Sequence, residues 1–271
     1  MSERLITVIP GPVPELLPAG ATTLAGDGWS AWATHDASTP PPGSAPEGST
    51  WALISGQLAD APARLLLLDV DSTLTTTEAV DLLAEHAGVA AEVAAVTERA
   101  MRGELDFEAS LRQRVATLAG LPVSVFDDVA PRMTLSAGAR ELIAAAHGSG
   151  AVIGVTSGGF SQLVGPLAES LDLDFWNANH LETAEGKLTG QVLGTVVDRQ
   201  QKARDLRRFA AENQVPLELS VAVGDGANDL DMLDAAGLGI AYCAKPMTAA
   251  AADVALQFPR LDAVAAFALW R

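Results

Sequence analysis

The chain has 271 residues, of which 34 are acidic and 17 basic, so its formal net charge is −17. The length predicts one large domain with additions or two domains, and a hydrophobic fraction of 49% excludes intrinsic disorder of the whole chain. The acidity argues against nucleic-acid and anionic-membrane partners, which require a basic face, and the absence of a long apolar run or leader pattern predicts a soluble cytoplasmic protein.

Residues 1–63 form an extension rich in proline and glycine. They contain nine of the 15 prolines and three of the five tryptophans, but no lysine. Pro40, Pro41 and Pro42 cannot lie inside a helix or a central strand. Three short apolar stretches favour a small β subdomain, while a loosely ordered segment is the alternative. The stretches are Leu5–Ile9, Trp29–Thr34 and Trp51–Ser55.

From residue 64 onward, short continuous apolar runs predict parallel strands that are buried on both faces. The runs are Leu65–Leu68, Ala151–Thr156, Leu219–Val223, Gly239–Cys243 and Asp253–Leu256. Helical patterns occur between the runs, at Ala137–His147, Ser161–Leu171, Gln200–Asn213 and Asp229–Ala236. This alternation predicts βαβ units and an α/β fold with an open parallel sheet.

Two segments interrupt the alternation. Residues 76–132 contain four helical stretches without a strand pattern, which predicts a helical-bundle cap inserted directly after the first strand. Residues 64–75 and 133–271 would then form the α/β core. The segment Phe175–Thr195, with Gly186 between polar residues, predicts a β-hairpin.

Carboxylates follow two of the predicted strands. Asp69 and Asp71 come directly after the first strand, and in an extended chain residues i and i+2 point the same way. Asp225 follows the third strand. Because ligands bind at the carboxyl ends of parallel strands, Asp69 and Asp225 indicate a hard oxygen site that suits Mg²⁺. Solvated loop aspartates are the alternative, and for Asp229 a position at a helix N-terminus is the alternative.

A candidate anion site follows the second strand. Ser157, Gly158 and Gly159 precede a helical pattern, so a hydroxyl and free N–H groups can cradle an anion, although an ordinary glycine turn has the same pattern. Lys202, one of three lysines, lies near the start of a later helix and can supply positive charge. A solvated surface lysine is the common alternative.

Taken together, the motifs DVDSTLTTTE, RAMRGELDF, SLRQRV, VTSGGF, GKLTG, VAVGDGANDLDML and AYCAKP occur in this order. In this order they resemble the haloacid dehalogenase superfamily and, within it, the phosphoserine phosphatase family. The resemblance covers residues 64 to about 260. It implies a Rossmann-like parallel core with a helical cap and an Mg²⁺-dependent phosphatase that forms an aspartyl-phosphate.

The resemblance also implies the roles of individual residues. Asp69 would be the nucleophile and Asp71 the general acid and base. The magnesium ligands would be the Asp69 side chain, the Asp71 backbone carbonyl and Asp225, with Asp229 orienting Lys202 or the metal waters. The phosphoryl oxygens would be held by Ser157, Gly158, Lys202 and Asn228.

The implied substrate is a small phosphomonoester, O-phospho-L-serine, which is hydrolysed to L-serine and phosphate in serine biosynthesis. Arg114 in SLRQRV would hold its carboxylate and Glu78 its ammonium, while Met101 and Phe107 would line an apolar wall. The alternative is that Arg114 and Glu78 are helix-surface charges. A monomer or homodimer is expected.

Three alternatives stay open. The chain can act on another phosphomonoester or transfer the group to another acceptor, as in phosphohomoserine chemistry, or it can be a non-catalytic binding module. The extension of 63 residues can bind a partner, but it is short for the regulatory ACT domains that many relatives carry. Cys243 lies in a strand pattern and is expected to be a buried, inert thiol.

Overall fold

This computed structural model describes residues 3–15, 17–18, 20–34 and 48–270, with Met101 described for its backbone only. Within these residues the N-terminal segment forms a four-stranded antiparallel sheet with the order β2-β3-β1-β4. Its strands are β1 Glu3–Pro10, β2 Thr22–Gly26, β3 Trp29–Thr34 and β4 Thr50–Ser55. The three apolar stretches therefore pair as a sheet. The Pro40–Pro42 run lies outside the described residues.

The second strand of this sheet is not evident from the sequence. The residues of β2, Thr22–Gly26, are exposed or half-buried, so they lack the apolar alternation that marks a strand. β2 is held by its antiparallel pairing with β3. β1 and β2 run in the same direction, with β3 antiparallel between them.

The larger sheet has seven strands in the order β11-β10-β9-β5-β6-β7-β8. They are β5 Leu65–Leu68, β6 Val152–Phe160, β7 Phe175–Ala184, β8 Lys187–Leu193, β9 Ser220–Gly224, β10 Leu238–Tyr242 and β11 Val254–Leu256. Adjacent strands are parallel except β7 and β8, which form the predicted hairpin. The four leucines of β5 are buried at the centre, as their apolar run predicts.

The α-helices of the described residues are α1 Gln57–Asp60, α2 Ala79–Ala87, α3 Ala90–Met101, α4 Phe107–Ala116, α5 Val125–Val129, α6 Ala139–Ser149, α7 Ser161–Ser170, α8 Arg199–Glu212, α9 Leu230–Ala235, α10 Pro246–Ala251 and α11 Val264–Ala268. Eight of these eleven α-helices in the described residues coincide with predicted helical stretches, whereas α1, α10 and α11 were not predicted. Helices α2 to α5 lie between β5 and β6. α2 ends at Gly88 in a left-handed conformation, and α4 begins at Asp106, whose carboxylate accepts from the Ala109 N–H.

The N-terminal sheet shares its core with the larger sheet. Ile6, Val8 and Ile54 belong to the same buried apolar cluster as the β5 leucines. The helices α2 to α5 surround a second cluster that includes Leu83 and Leu118. The N-terminal strands are thus an integral layer of the described structure rather than a loose extension.

Two further points concern the surface. Cys243 is exposed and has a left-handed φ of 45°, so the expectation of a buried thiol is wrong. The residue comes directly after β10, where the chain leaves the sheet and turns outward. No helix among the described residues combines the length and apolar character that crossing a lipid bilayer requires.

Candidate active site

Strand β5 delivers Asp69 to the carboxyl edge of the sheet. The strand ends at Leu68, and the N–H of the buried Asp69 donates to the Val223 carbonyl of β9 at 2.9 Å. The residues that follow, Val70–Leu74, wind into a tight helical turn in which Ser72 has a left-handed φ of 60°. The predicted extended run through Asp71 is therefore interrupted by this turn.

Asp71 lies at the junction between the core and the helical insertion. Its Oδ1 accepts the N–H of Ala79, the first residue of α2, at 3.0 Å. Its negative charge contributes to the electrostatics of Asp69, which places both carboxylates in one neighbourhood. The turn thus keeps the two carboxylates together although the chain between them is not a strand.

Helix α8 brings Lys202 into the same place. Its first turn is capped by Asp198, which accepts the Gln201 N–H at 2.7 Å. The Lys202 side chain is fully buried, and its Nζ lies 2.7 Å from Asp69 Oδ1 and 2.6 Å from Asp229 Oδ1. The alternative of a solvated surface lysine is wrong. Lys202 bridges the ends of two neighbouring strands because Asp229 follows β9.

The Ser-Gly-Gly segment has a different backbone from the predicted turn. Strand β6 continues through Ser157, Gly158 and Gly159 to Phe160, with a shift of register against β7. The Gly159 N–H donates to Ser157 Oγ at 2.8 Å. A Cβ on Gly158 would lie 2.9 Å from the tip of the Phe107 ring, so a larger residue here would require this ring to shift.

The electrostatics of the cluster are dominated by burial and by like charges. Burial and the charge of Asp229 raise the pKa of Asp69 well above its usual range, although Lys202 opposes the shift. Burial and the charge of Glu78 raise the pKa of Asp71 to about 7, and burial with Asp229 raises the pKa of Asp225 to about 6. Burial lowers the pKa of Lys202, but the two contacting carboxylates outweigh it and the net shift is upward.

Two neighbouring carboxylates, a buried lysine and further aspartates thus converge at one sheet edge beneath a helical insertion. The sequence model of the family described as haloacid dehalogenase-like hydrolase matches residues 66–234, which include every one of these groups. The chain belongs to the haloacid dehalogenase-like hydrolases.

Three known proteins show how similar this hydrolase is to its relatives. Phosphoserine phosphatase SerB2 of Mycobacterium tuberculosis is 55% identical over 207 residues, which are 76% of this chain and 51% of that protein. Phosphoserine phosphatase of Streptococcus thermophilus is 50% identical over 197 residues, 73% of this chain and 92% of the relative. A solved substrate-bound phosphoserine phosphatase complex has a TM-score of 0.70 and 43% identity over 73% of this chain and 95% of its own.

This chain matches only part of the length of two of its relatives. The chain spans about half the length of the Mycobacterium tuberculosis relative and of the Streptomyces coelicolor phosphoserine phosphatase, which is 54% identical over 213 residues. The family model matches residues 66–234, which extend from β5 to α9.

The acidic cluster of this hydrolase fits a divalent cation. Asp69, Asp225 and Asp229 each offer a carboxylate oxygen, and these oxygens lie within 4.8 Å of one another. A single ammonium, that of Lys202, cannot neutralise three carboxylates, and Mg²⁺ prefers carboxylate oxygens. Asp229 already accepts from Lys202 with one oxygen and from the Gly226 N–H with the other, at 2.9 Å. Asp69 and Asp225 are therefore the better ligands.

The helical insertion brings its charged residues toward this cluster. The Arg114 side chain is half-buried, and burial lowers its pKa, while the charges of Asp81, Glu78 and Asp71 oppose this. Glu78 accepts a hydrogen bond from Ser72 Oγ at 2.8 Å.

The remaining predicted residues lie at the rim of the cluster or outside the described side chains. The half-buried Phe107 lies against Gly158, at the boundary between α4 and β6. Asn228 is half-buried beside Gly226 in the loop after β9. The side chain of Met101 is not among those described.

One polar residue near the site is not evident from the sequence. Asn179, which is 1% exposed, donates from Nδ2 to the Gly158 carbonyl and accepts the Val197 N–H at Oδ1, both at 2.8 Å. It joins the Ser157 segment to the loop that enters α8. In the sequence, Asn179 is visible only as an amide within a hairpin pattern. Its hydrogen-bond partners, Val197 and Gly158, are 18 and 21 residues away.

Proposed function

We propose that this chain is a phosphoserine phosphatase that hydrolyses O-phospho-L-serine to L-serine and phosphate. The observation that carries the proposal is the position of Arg114 and Glu78, because both charges interact with that of Asp71. Asp71 in turn lies beside the buried pair of Asp69 and Lys202. A phosphate with an attached carboxylate and ammonium requires this combination of charges. The relatives that the chain resembles carry that name.

In the first step, the Asp69 carboxylate attacks phosphorus and the bond between phosphorus and the seryl oxygen breaks. The Asp71 carboxyl protonates that oxygen, so serine leaves neutral at its hydroxyl. The raised pKa of Asp71, about 7, supports this role because the group retains its proton near neutral pH. The product is an aspartyl-phosphate on Asp69.

In the second step, water attacks the phosphorus, the Asp71 carboxylate accepts its proton, and the bond between phosphorus and the Asp69 oxygen breaks. This releases phosphate and restores the Asp69 carboxylate and the protonated Asp71 carboxyl. Lys202, the Ser157 hydroxyl and the Gly158 N–H hold the phosphoryl oxygens, with Asn228 at the rim. Phosphoryl transfer depends mainly on such positioning and charge neutralisation.

The metal is proposed to be Mg²⁺, held by Asp69, the Asp71 backbone carbonyl and Asp225. When bound, Mg²⁺ supplies charge neutralisation for the phosphoryl oxygens. Asp229 keeps Lys202 oriented through their 2.6 Å contact. A cytoplasmic location, and a monomeric or homodimeric state, are parts of the proposal that rest on the sequence.

Released phosphate from L-phosphoserine, measured with Mg²⁺ and after chelation, tests the proposal. A panel with phosphohomoserine, phosphoethanolamine and p-nitrophenyl phosphate separates the candidate substrates. We expect the highest kcat/KM for phosphoserine and loss of activity with the chelator. A higher kcat/KM for any other member of the panel would reject phosphoserine as the substrate, and binding without turnover of any of them would favour the non-catalytic alternative.

A further inference from the structure

Asp205 is a buried carboxylate near the site that the proposed chemistry does not use. It follows Lys202 by three residues on α8, so the two side chains lie on the same face of the helix. Both are 0% exposed. A carboxylate withdrawn from water is costly unless hydrogen bonds compensate it, so its partners indicate what it holds in place.

One oxygen of Asp205 binds the sheet. Oδ2 accepts from Thr156 Oγ1 and from Asn177 Nδ2, each at 2.7 Å. Thr156 on β6 directly precedes Ser157, and it pairs with Asn177 on β7. The carboxylate therefore joins α8 to the two strands at the point where the Ser157 segment begins.

The other oxygen of Asp205 accepts hydrogen bonds from side chains of α8 itself. Oδ1 accepts from Gln201 Nε2 at 3.0 Å and from Arg208 at 3.3 Å. With four donors around one buried carboxylate, neither the side chain nor the helix can slide relative to the sheet without breaking a charge-assisted hydrogen bond.

We propose that Asp205 is a positioning residue that fixes Lys202 relative to Ser157, so that the ammonium and the hydroxyl grip the same phosphoryl group. The inference rests on the proposed function, in which those two groups hold the phosphoryl oxygens. Lys202 has its own contacts to Asp69 and Asp229, but these join it to β5 and β9. Asp205 connects the helix itself to β6 and β7, whereas Asn179 connects these strands only to the loop that precedes α8.

The test compares Asp205→Asn with the parent protein, using inorganic phosphate as the ligand and calorimetry in the presence of Mg²⁺. The variant keeps the shape of the side chain but turns an N–H₂ group toward two donors. We expect phosphate affinity and kcat to fall by about 10-fold to 100-fold, the usual range for residues that orient a site. The loss in kcat/KM should be equal for phosphoserine and p-nitrophenyl phosphate, because it arises at the phosphoryl end.

Asp174→Asn is the matched control. Asp174 Oδ2 accepts the Ile153 N–H at 2.7 Å near the other end of β6, so this variant also disturbs a carboxylate bound to that strand. It should leave phosphate affinity unchanged. The double variant Asn177→Asp with Asp205→Asn exchanges the carboxylate and amide across the 2.7 Å contact and should recover part of the lost affinity.

Parent-like phosphate affinity and kcat in Asp205→Asn would overturn the inference, as would a loss confined to phosphoserine. If Asp205→Asn does not fold, the variant Asn177→Ala, at a half-buried position, replaces it in the test. We expect this variant to lose phosphate affinity several-fold, and an unchanged affinity would overturn the inference. A parent that binds phosphate but does not hydrolyse phosphoserine rejects the proposed function alone. A parent that neither binds phosphate nor hydrolyses phosphoserine rejects both.

Discussion

The ammonium of Lys202 lies 2.7 Å from the carboxylate of Asp69, and both side chains are withdrawn from solvent. The same ammonium lies 2.6 Å from Asp229, so one buried cation joins the ends of β5 and β9. Removing one member of such a group leaves a buried charge without compensation, which is more costly than the net value of the pair. The cluster is therefore sensitive to the loss of its single cation.

Lys202→Met places two carboxylates together without a cation. We expect the free energy of unfolding to fall by about 3–5 kcal/mol, as for a broken buried pair, and phosphoserine turnover to be lost. Urea denaturation without metal measures the first effect. Adding Asp229→Asn should restore stability without restoring turnover, and Lys187→Met, at an exposed lysine of β8, should change neither quantity. An unchanged unfolding free energy in Lys202→Met would contradict the expectation.

Asp69→Asn removes the proposed nucleophile but preserves the volume of the side chain. Phosphoserine turnover should fall by about a thousandfold or more. When the reaction with substrate labelled in its phosphoryl group is quenched with acid, the label should remain bound to the parent protein and be absent from the variant. Circular dichroism serves as the folding control. Labelling of the variant equal to that of the parent would remove the covalent role of Asp69.

Arg114→Ala tests recognition of the substrate carboxylate. If the ion pair is desolvated, its loss costs about 2–5 kcal/mol, which is roughly 30-fold or more in kcat/KM for phosphoserine. The loss should be smaller for phosphoethanolamine, which has no carboxylate. Arg112→Ala on the same helix is the matched control, because Arg112 is exposed and pairs with Glu108. Equal losses on the two substrates would reject the carboxylate role.

The raised pKa values predict how stability varies with pH in the metal-free protein. The pKa is about 7 for Asp71 and about 6 for Asp225, both higher than in an unfolded chain. A carboxyl group of this kind contributes stability at low pH that is lost as the pH rises through its folded-state pKa. Calorimetric Tm should therefore fall between about pH 4, where these carboxyls ionise in the unfolded chain, and about pH 7.

Magnesium should oppose that loss, because it binds the deprotonated carboxylates. The increase in Tm on adding Mg²⁺ is expected to be larger at the upper end of this range, and Asp225→Asn should reduce both the pH dependence and the response to Mg²⁺. A metal-free Tm that rises across the same interval would show that these carboxyls are not the groups that control stability.

The attachment of the N-terminal sheet can be tested at Trp29, whose Nε1 donates to the buried Asp262 at 2.7 Å. Trp29→Phe keeps an aromatic ring but removes the hydrogen bond to the Asp262 carboxylate. The free energy of unfolding should therefore fall by about 1–3 kcal/mol. Trp51→Phe is the matched control, because Trp51 is 44% exposed and should change stability by less than about 0.5 kcal/mol. Equal effects of the two substitutions would argue against the importance of this contact.

The strands of the core could be predicted because their apolar runs are local in sequence and are buried on both faces, as for Leu65–Leu68. Family motifs marked the residues of the candidate site, whose roles stay predictions. The exposure of Cys243 and the continuation of β6 through Ser157–Gly159 depend on tertiary packing that a local pattern does not encode. The same is true of Asp205, whose hydrogen-bond partners on β6 and β7 lie 49 and 28 residues away.

Arg4 on β1 donates a hydrogen bond to the carbonyl of Trp270, 266 residues later in the chain, at 2.8 Å. β1 is therefore held in part by a residue from the far end of the described chain. Such a high sequence separation delays the closing contacts of a fold, because loop closure must precede them. We therefore expect the apolar face of β1 to be covered late in folding, once the segment around Trp270 has reached the sheet.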